Sequence, residues 1–114
     1  MKFGFIGTGN MGGALARSVA ERKGNGSILL ANRTAAKAEK LAADIGAAVG
    51  TNDEVAEQCK YIFLGVKPQM MADMLSGMKD VLGTRKSEVV LVSMAAGLSC
   101  EKISEMAGGG FAVI

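Results

Sequence analysis

Histidine and tryptophan are absent from this chain of 114 residues, which has only two cysteines and one proline. The lack of histidine removes the commonest general base and the commonest metal ligand, and no cluster of Asp, Glu and Cys replaces it. We therefore predict no catalytic side chain and no metal site. Cys59 and Cys100 form no CxxC pair, so we expect two reduced thiols rather than a disulfide.

Aromatic residues, net charge and long hydrophobic runs are also scarce. The chain has four Phe and one Tyr, and its 13 basic and 11 acidic residues leave a net charge of +2. This balance, without an aromatic stacking platform, argues against a nucleic-acid partner. No apolar stretch approaches the roughly 18 to 20 residues of a membrane span, and the first apolar run is too short for a signal peptide. We expect a cytoplasmic protein with no membrane partner.

Apolar runs alternate with amphipathic stretches along the whole chain, which contains 16 Gly and 8 Met. This alternation is typical of βαβ units and a parallel sheet. The expected fold class is α/β, a Rossmann-type doubly wound, mainly parallel sheet with helices on both faces, in one domain over 1–114. The predicted strands are 2–6, 27–32, 47–49, 61–66, 88–94 and 111–114, and the predicted helices are 10–22, 34–46, 51–59, 68–82 and 99–107.

Local signals mark the ends of several helices. Thr34 is placed to cap the second helix and Gly46 to end it. Thr51 and Glu54 have the spacing of a capping box at the start of the third helix. Four methionines at helical spacing in the fourth helix are predicted to be core rather than a site: Met70, Met71, Met74 and Met78.

The stretch FGFIGTGNMGGALA (3–16) contains GxGxxG directly after an apolar strand and at the start of a helix. In that context Gly7 permits a sharp exit from the strand, Gly9 leaves room for a pyrophosphate, and Gly12 lets the helix lie close to the sheet. The amide groups and dipole of the helix N-terminus attract phosphates. We predict a dinucleotide site; a turn without a ligand is the alternative.

The choice of dinucleotide depends on the end of the second strand, where an NAD site usually has Asp or Glu. This chain has Asn32, Arg33 and Thr34 there. Arg33 can form a charge-assisted hydrogen bond to a 2′-phosphate, and its neighbours can donate neutral ones. The pattern favours NADP (NADPH), with NAD possible. Arg33 as a solvated loop charge is the alternative.

Two further segments follow the fourth and fifth strands, whose carboxyl ends border the ligand crevice of such sheets. GVKPQ (65–69) places Lys67 there, and SMAAGLS (93–99) places small residues there. Small residues let a flat nicotinamide ring approach. An ordinary exposed lysine and plain loop packing are the alternatives for these two segments.

Four motifs, FGFIGTGNMGGAL, ANRT, GVKPQ and VSMAAGLS, have the order and spacing of one family. In them the chain resembles the pyrroline-5-carboxylate reductases. The resemblance implies that hydride passes from NADPH to the C=N bond of 1-pyrroline-5-carboxylate, a small imino acid, giving L-proline in the last step of its biosynthesis. It implies these roles: Ile6, Gly7, Thr8, Gly9, Asn10 and Met11 at the pyrophosphate; Asn32, Arg33 and Thr34 at the 2′-phosphate; Asn52 beside the adenine; Val66, Lys67, Pro68, Ala95 and Ala96 at the nicotinamide.

Members of that family continue into a helical domain that forms the dimer and supplies most of the imino-acid pocket. This chain ends inside the apolar run FAVI (111–114). We expect an apparently truncated NADP-binding domain that binds cofactor without appreciable turnover, and a homo-oligomer only in the full-length form. An iminium substrate is already positively charged, so the absence of histidine is no obstacle.

Two other functions fit the same motifs. One is another NADP-dependent dehydrogenase, related to the coenzyme F420-linked or the β-hydroxyacid enzymes, which share the glycine loop. The other is a non-catalytic nucleotide-sensing module, since the fold alone does not decide function. The MAAG loop (94–97) leaves space that a sensor does not need.

Overall fold

The computed structural model describes residues 3–7, 10–23, 28–32, 35–66, 68–85, 88–93 and 99–114. Six strands form one sheet in the order β3-β2-β1-β4-β5-β6, and every strand pair is parallel. The strands are β1 (Phe3–Ile6), β2 (Ile28–Ala31), β3 (Ala48–Val49), β4 (Tyr61–Leu64), β5 (Val90–Ser93) and β6 (Ala112–Val113). The helices are α1 (Asn10–Lys23), α2 (Ala35–Ile45), α3 (Asn52–Gln58), α4 (Pro68–Gly83) and α5 (Cys100–Met106).

All eleven predicted elements are present, and the predicted α/β doubly wound fold is confirmed. Several predicted strands are longer than the observed ones, because an apolar run continues beyond the paired residues. β4 ends at Leu64, two residues before the end of the predicted strand. Gly65 N–H still donates to the Ile6 carbonyl at 2.7 Å, although Gly65 no longer belongs to the strand. β6 pairs with β5 over two residues only.

The strand order places two βαβ halves on either side of the boundary between β1 and β4. The chain runs from β1 outward to β3, then crosses back through α3 to start β4 beside β1. The connections after β1 and β4 therefore diverge, and they open a crevice at the carboxyl edge of the sheet. This switch point is where a doubly wound sheet binds its ligand.

Helices cover both faces of the sheet, as expected. On the face covered by α1 and α2, called the α1–α2 face, the Phe5 and Phe63 rings stack with centroids 4.5 Å apart. The buried residues of this face include three helix alanines, which allow a close approach to the sheet. They are Phe5, Ala16, Ile28, Leu30, Ala38, Leu41 and Ala42.

The opposite face, called the α3–α5 face, holds the larger buried cluster, to which α4 contributes Met71, Leu75, Met78 and Leu82. Gly4 in β1 lies beneath α3. A Cβ atom on Gly4 would lie 2.5 Å from Val55 Cγ1 and 2.8 Å from Cys59 Sγ. The missing side chain therefore lets α3 pack directly on β1, a role that the sequence analysis missed.

The helix signals are confirmed where the structure describes them. α2 ends before Gly46, which adopts φ +72°, and its N–H donates to the Ala42 carbonyl at 2.7 Å. The expected cap Thr34 lies outside the described residues. Both cysteines are free thiols, Cys59 buried and Cys100 exposed, as expected. No helix in the described ranges combines the length and apolar character needed to cross a membrane.

Candidate functional site

A cleft of about 940 Å³ opens at the carboxyl ends of β1, β2, β3 and β4. Its size falls in the range of small-molecule and cofactor sites. It is bordered by the switch point and extends along α4. The lining residues are Ile6, Gly7, Ala31, Asn32, Lys37, Gly50, Thr51, Asn52, Asp53, Gly65, Val66, Met70, Asp73, Met74, Gly77 and Met78.

The end of β1 forms the floor of the cleft at the switch point. Ile6 is 2 % exposed. Gly7 takes φ +86°, and its N–H donates to the Ala31 carbonyl at 2.9 Å. A Cβ on Gly7 would lie 2.6 Å from the Gly65 oxygen. The sharp turn expected of Gly7 is therefore present, and both the dihedral angle and the close approach of β4 require glycine there.

The rest of the glycine motif is described only in part. α1 begins at Asn10, so Gly12 lies in its first turn as predicted. Thr8 and Gly9, and the side chains of Asn10 and Met11, lie outside the described residues. A helix N-terminus therefore follows the turn at Gly7, which is the arrangement that offers backbone amides to phosphate.

Asn32 follows β2, is half-buried and lines the cleft. Arg33 and Thr34 lie outside the described residues. Lys37, the third residue of α2, lines the same cleft, and the sequence analysis missed it. The available signal was its place in the first turn after ANRT, four residues beyond Arg33.

The connection from β3 to α3 positions Asn52. Gly50 N–H donates to the Leu30 carbonyl at 2.9 Å. Thr51 Oγ1 accepts from the Glu54 N–H, and Thr51 N–H donates to Glu54 Oε1, both at 3.2 Å. This reciprocal capping box, which the spacing predicted, satisfies two backbone donors. It fixes Asn52 as the first residue of α3, half-buried at the cleft.

The segment after β4 places Gly65 and Val66 at the cleft, and α4 then begins at Pro68 as expected. Lys67 and the side chain of Pro68 lie outside the described residues. Ala95 and Ala96, expected at the nicotinamide, also lie outside them, so the structure brings together only part of the expected site: Ile6, Gly7, Asn32, Asn52 and Val66.

The methionines of α4 differ from the expectation that all four form core. Met71 and Met78 are buried, which confirms that expectation for two of them. Met74 is half-buried and packs against the same core cluster, while Met70 is half-buried, and both line the cleft beside Met78. One helix side cannot point wholly at the sheet, so residues at its margin face the start of α3 instead.

The cleft combines backbone amides, the side-chain amides of Asn32 and Asn52, the thioethers of methionines, and charged groups. Asp53 and Asp73 add carboxylates, and Gly77 leaves open space on α4. Among the residues described, no group of three or more His, Cys, Asp and Glu could hold a metal ion. This set suits binding of a ligand that has both an apolar part and polar groups.

A family model described as NADP oxidoreductase, coenzyme F420-dependent, matches residues 2–97. The chain belongs to this family. The match spans every element from β1 to β5, so the cleft lies wholly within the family's region. Lys37, Asp73 and Gly77 lie inside the match as well, although neither glycine spacing nor strand ends indicated them.

The sequences similar to this NADP oxidoreductase family member include several pyrroline-5-carboxylate reductases. The pyrroline-5-carboxylate reductase of Corynebacterium melassecola is 32% identical over 111 residues, which cover 96% of this chain and 41% of the relative. The resemblance predicted from the four motifs is thus confirmed. The chain spans about two fifths of the length of such curated relatives.

Two solved structures extend the comparison. A pyrroline-5-carboxylate reductase from Coxiella burnetii superposes with a TM-score of 0.89 at 23% identity, over 98% of this chain and 42% of the other, and shows the same fold. The pyrroline carboxylate reductase of Plasmodium falciparum, with NADP bound, gives a TM-score of 0.80 at 27% identity, over 99% and 40%.

Proposed function

We propose that this chain is the cofactor-binding half of an NADPH-dependent reductase that converts 1-pyrroline-5-carboxylate to L-proline, and that it works in the cytoplasm. The observation that carries the proposal is the similarity of 96% of the chain to a reductase of that name. The cleft supports it, because it opens at the switch point of the sheet with glycine-lined floor and helix ends. That is where such sheets bind dinucleotides.

The residues at the cleft fit a dinucleotide. Gly7 removes a side chain at the floor, and the N-terminus of α1 follows it. In the proposal the pyrophosphate binds to 6–11 and the 2′-phosphate to 32–34. Asn52 lies beside the adenine, and the nicotinamide contacts Val66, Lys67, Pro68, Ala95 and Ala96. The half-buried Met70 and Met74 supply apolar surface within the same cleft.

We propose NADP rather than NAD as the preferred cofactor. No carboxylate follows β2, where Asn32 occupies the position and lines the cleft. A carboxylate there would accept hydrogen bonds from the ribose hydroxyls of NAD and would repel a 2′-phosphate. The structure of the Plasmodium falciparum relative with NADP bound supports the same choice.

The chemistry is divided between cofactor and protein. When bound, NADPH supplies the hydride, and this chain's residues hold and orient it. An iminium substrate is already electrophilic, so no strong protein acid is needed at the reacting carbon. In the proposal a helical part outside these 114 residues supplies the imino-acid pocket and the dimer contacts, and this chain alone binds cofactor without turnover.

A titration with NADPH and NADH, followed by nicotinamide fluorescence, tests the proposal. NADPH should bind more tightly, and Arg33→Ala should weaken it by about tenfold, since it removes a charge-assisted hydrogen bond. Arg22→Ala is the matched control, because Arg22 is exposed on α1 and does not line the cleft. Equal binding of the two cofactors would contradict the NADP preference, and binding of neither would contradict the cofactor role.

The family description makes an F420-linked NADP oxidoreductase the second candidate. Adding each electron acceptor to the enzyme of the parent gene separates the two functions. Oxidation of NADPH with pyrroline-5-carboxylate supports the reductase, and oxidation with a deazaflavin instead supports the second candidate. A stop codon after Ile114 in the parent gene would favour a nucleotide sensor over both enzymes.

A further inference from the structure

We propose that Glu54 is a positioning residue for the cofactor cleft, because its side chain holds Asn52 at the cleft without lining the cleft itself. This role rests on the proposed function and adds to it a residue outside the expected site. Three observations support it: the reciprocal hydrogen bonds of the capping box, the packing of Glu54 beside Gly50, and the shortness of α3.

The two hydrogen bonds of the capping box enclose Asn52 in the chain. Thr51 N–H donates to Glu54 Oε1, and Glu54 N–H donates to Thr51 Oγ1, both at 3.2 Å. Thr51 is the N-cap with an extended backbone (φ −87°, ψ 167°), and Asn52 is the first helical residue. The pair of bonds therefore fixes the direction in which the chain enters α3. It thereby fixes the position of Asn52, which is half-buried at the cleft.

Gly50 leaves the space into which the Glu54 side chain folds back. A Cβ atom on Gly50 would lie 3.3 Å from Glu54 Cδ and 3.4 Å from Glu54 Cβ. Gly50 N–H donates to the Leu30 carbonyl at 2.9 Å, which ties this residue to β2. Glu54 thus joins the first turn of α3 to a segment that the sheet holds in place.

The start of α3 depends on its cap more than the rest of the helix does. α3 has seven residues, of which Val55 and Ala56 are buried, whereas Asp53 and Glu54 are exposed. A helix this short is unstable without tertiary packing, so the first turn frays when the cap is lost. The cofactor must then order it on binding. The apparent affinity falls in proportion to the fraction of molecules that have Asn52 in place.

A titration of the chain with NADPH, followed by nicotinamide fluorescence, tests the role of Glu54. Glu54→Ala should weaken binding by about three- to tenfold, the range expected for the loss of a helix cap. The sign of the change separates two causes, because NADPH is anionic and removal of a nearby carboxylate would by charge alone tighten its binding. Glu54→Gln keeps an acceptor oxygen and should bind within about twofold of the unsubstituted chain.

Two variants are matched controls. Glu57→Ala removes the same charge from an exposed position of the same helix that does not line the cleft. Thr84→Ala removes the hydrogen bond of 2.8 Å that the Thr84 hydroxyl donates to the Val81 carbonyl at the end of α4, outside the cleft. Both should bind NADPH as the unsubstituted chain does. Thermal melting checks that every variant is folded at the temperature of the titration.

Unchanged or tighter binding by Glu54→Ala would overturn the role of Glu54 and leave the cofactor role intact. An equal loss in Glu54→Gln would also overturn it, because that variant retains the acceptor. So would an equal loss in Thr84→Ala, since any weakened helix end would then have the same effect. If the unsubstituted chain does not bind NADPH, the proposed function fails and the role of Glu54 fails with it. The first three outcomes require a chain that binds NADPH, so they are distinguishable from the last.

Discussion

The two faces of the sheet are built from different side chains, although each is covered by helices that follow parallel strands. The α1–α2 face combines stacked Phe5 and Phe63 with alanines of α1 and α2. The α3–α5 face is larger and depends on long flexible residues, among them Met71 and Met78. The cleft opens on the methionine side, along α4.

This difference separates a rigid face from an adaptable one. Alanine loses no side-chain entropy on burial and lets a helix lie close to the sheet, and stacked rings have few rotamers. Methionine has three rotatable bonds and fills irregular space. The surface that borders a ligand cleft can thus adjust its shape, while the opposite face keeps the sheet in place. The four predictions below test this contrast.

The largest expected effect is a cavity in the core. Leu75→Ala, at a fully buried position of the α3–α5 face, should lower the free energy of unfolding by about 3 to 5 kcal/mol. Leu41→Ala, at a position 7 % exposed on the α1–α2 face, should cost about 2 to 3 kcal/mol. Urea unfolding of both variants measures the difference.

Methionines around Leu75 could instead relax into the cavity. A smaller loss for Leu75→Ala than for Leu41→Ala would contradict the expected order and show that adaptability outweighs burial on the α3–α5 face. The urea m-values should stay equal in both variants, since a change would indicate an altered unfolded state rather than altered packing.

The second prediction adds a methyl group at two glycines of the α3–α5 face, one in β1 and one in α4. Gly4→Ala should destabilise by about 1 to 3 kcal/mol, because its Cβ would meet the stiff Val55 side chain at 2.5 Å. Gly77→Ala, also on this face, has nothing within 4 Å of its Cβ. It should stabilise α4 by about 0.5 to 1 kcal/mol. Destabilisation by both would contradict the expectation for Gly77, because it would show that α4 is tightly packed there as well.

The third prediction concerns pH. Burial raises the pKa of the Cys59 thiol above its ordinary value of 9.0, and the charge of Arg85 offsets part of the shift. The unfolded chain therefore ionises first, so this contribution to stability is complete below about pH 9 and is lost as the pH rises through the folded pKa.

Cys59→Ala should accordingly show a shallower decline of the free energy of unfolding between about pH 8 and pH 10 than the unsubstituted chain. Cys100→Ala is the control, because that thiol is exposed and should leave the slope unchanged. Identical slopes in all three proteins would show that Cys59 does not titrate differently in the two states.

The smallest effect is expected on the surface of the α1–α2 face. Arg17 and Asp44 join α1 to α2 at 2.9 Å, with side chains 52% and 47% exposed. Arg17→Ala should cost roughly 0 to 1 kcal/mol, since solvent screens such a pair. A double-mutant cycle with Asp44→Ala measures the interaction, and a value well above 1 kcal/mol would mean that this pair helps to hold the rigid face.

Much of the fold could be predicted, because the signals that set it are local. The alternation of apolar and amphipathic runs gave every element, and the Thr51 capping box and the turn at Gly7 occur where their spacing indicated. The strand ends were less accurate, since pairing with neighbours rather than apolar character decides them. The cofactor-binding roles of all the expected site residues remain predictions, and those at 8–9, 33–34, 67 and 95–96 lie outside the described residues.

The misses share one cause, namely contacts between elements that are distant in the sequence. The sequence indicated Gly4 only as a residue of the first strand, yet α3 packs directly on it. Met70 had the spacing of a core residue, yet it is half-buried at the cleft. Lys37 belongs to none of the motifs, yet it lines the cleft. No local pattern tells these residues from others of the same type.

The amino-acid sequence by itself determined which segments form strands and helices, their order, and the glycine turn that ends β1, because hydrogen bonding and backbone freedom act within a few residues. Only the tertiary structure decided which helices share a face and which side chains meet at the switch point. The strand order and the crossovers between parallel strands set those distances, and they bring α2, α3 and α4 around one cleft from positions about forty residues apart, as between Lys37 and Gly77.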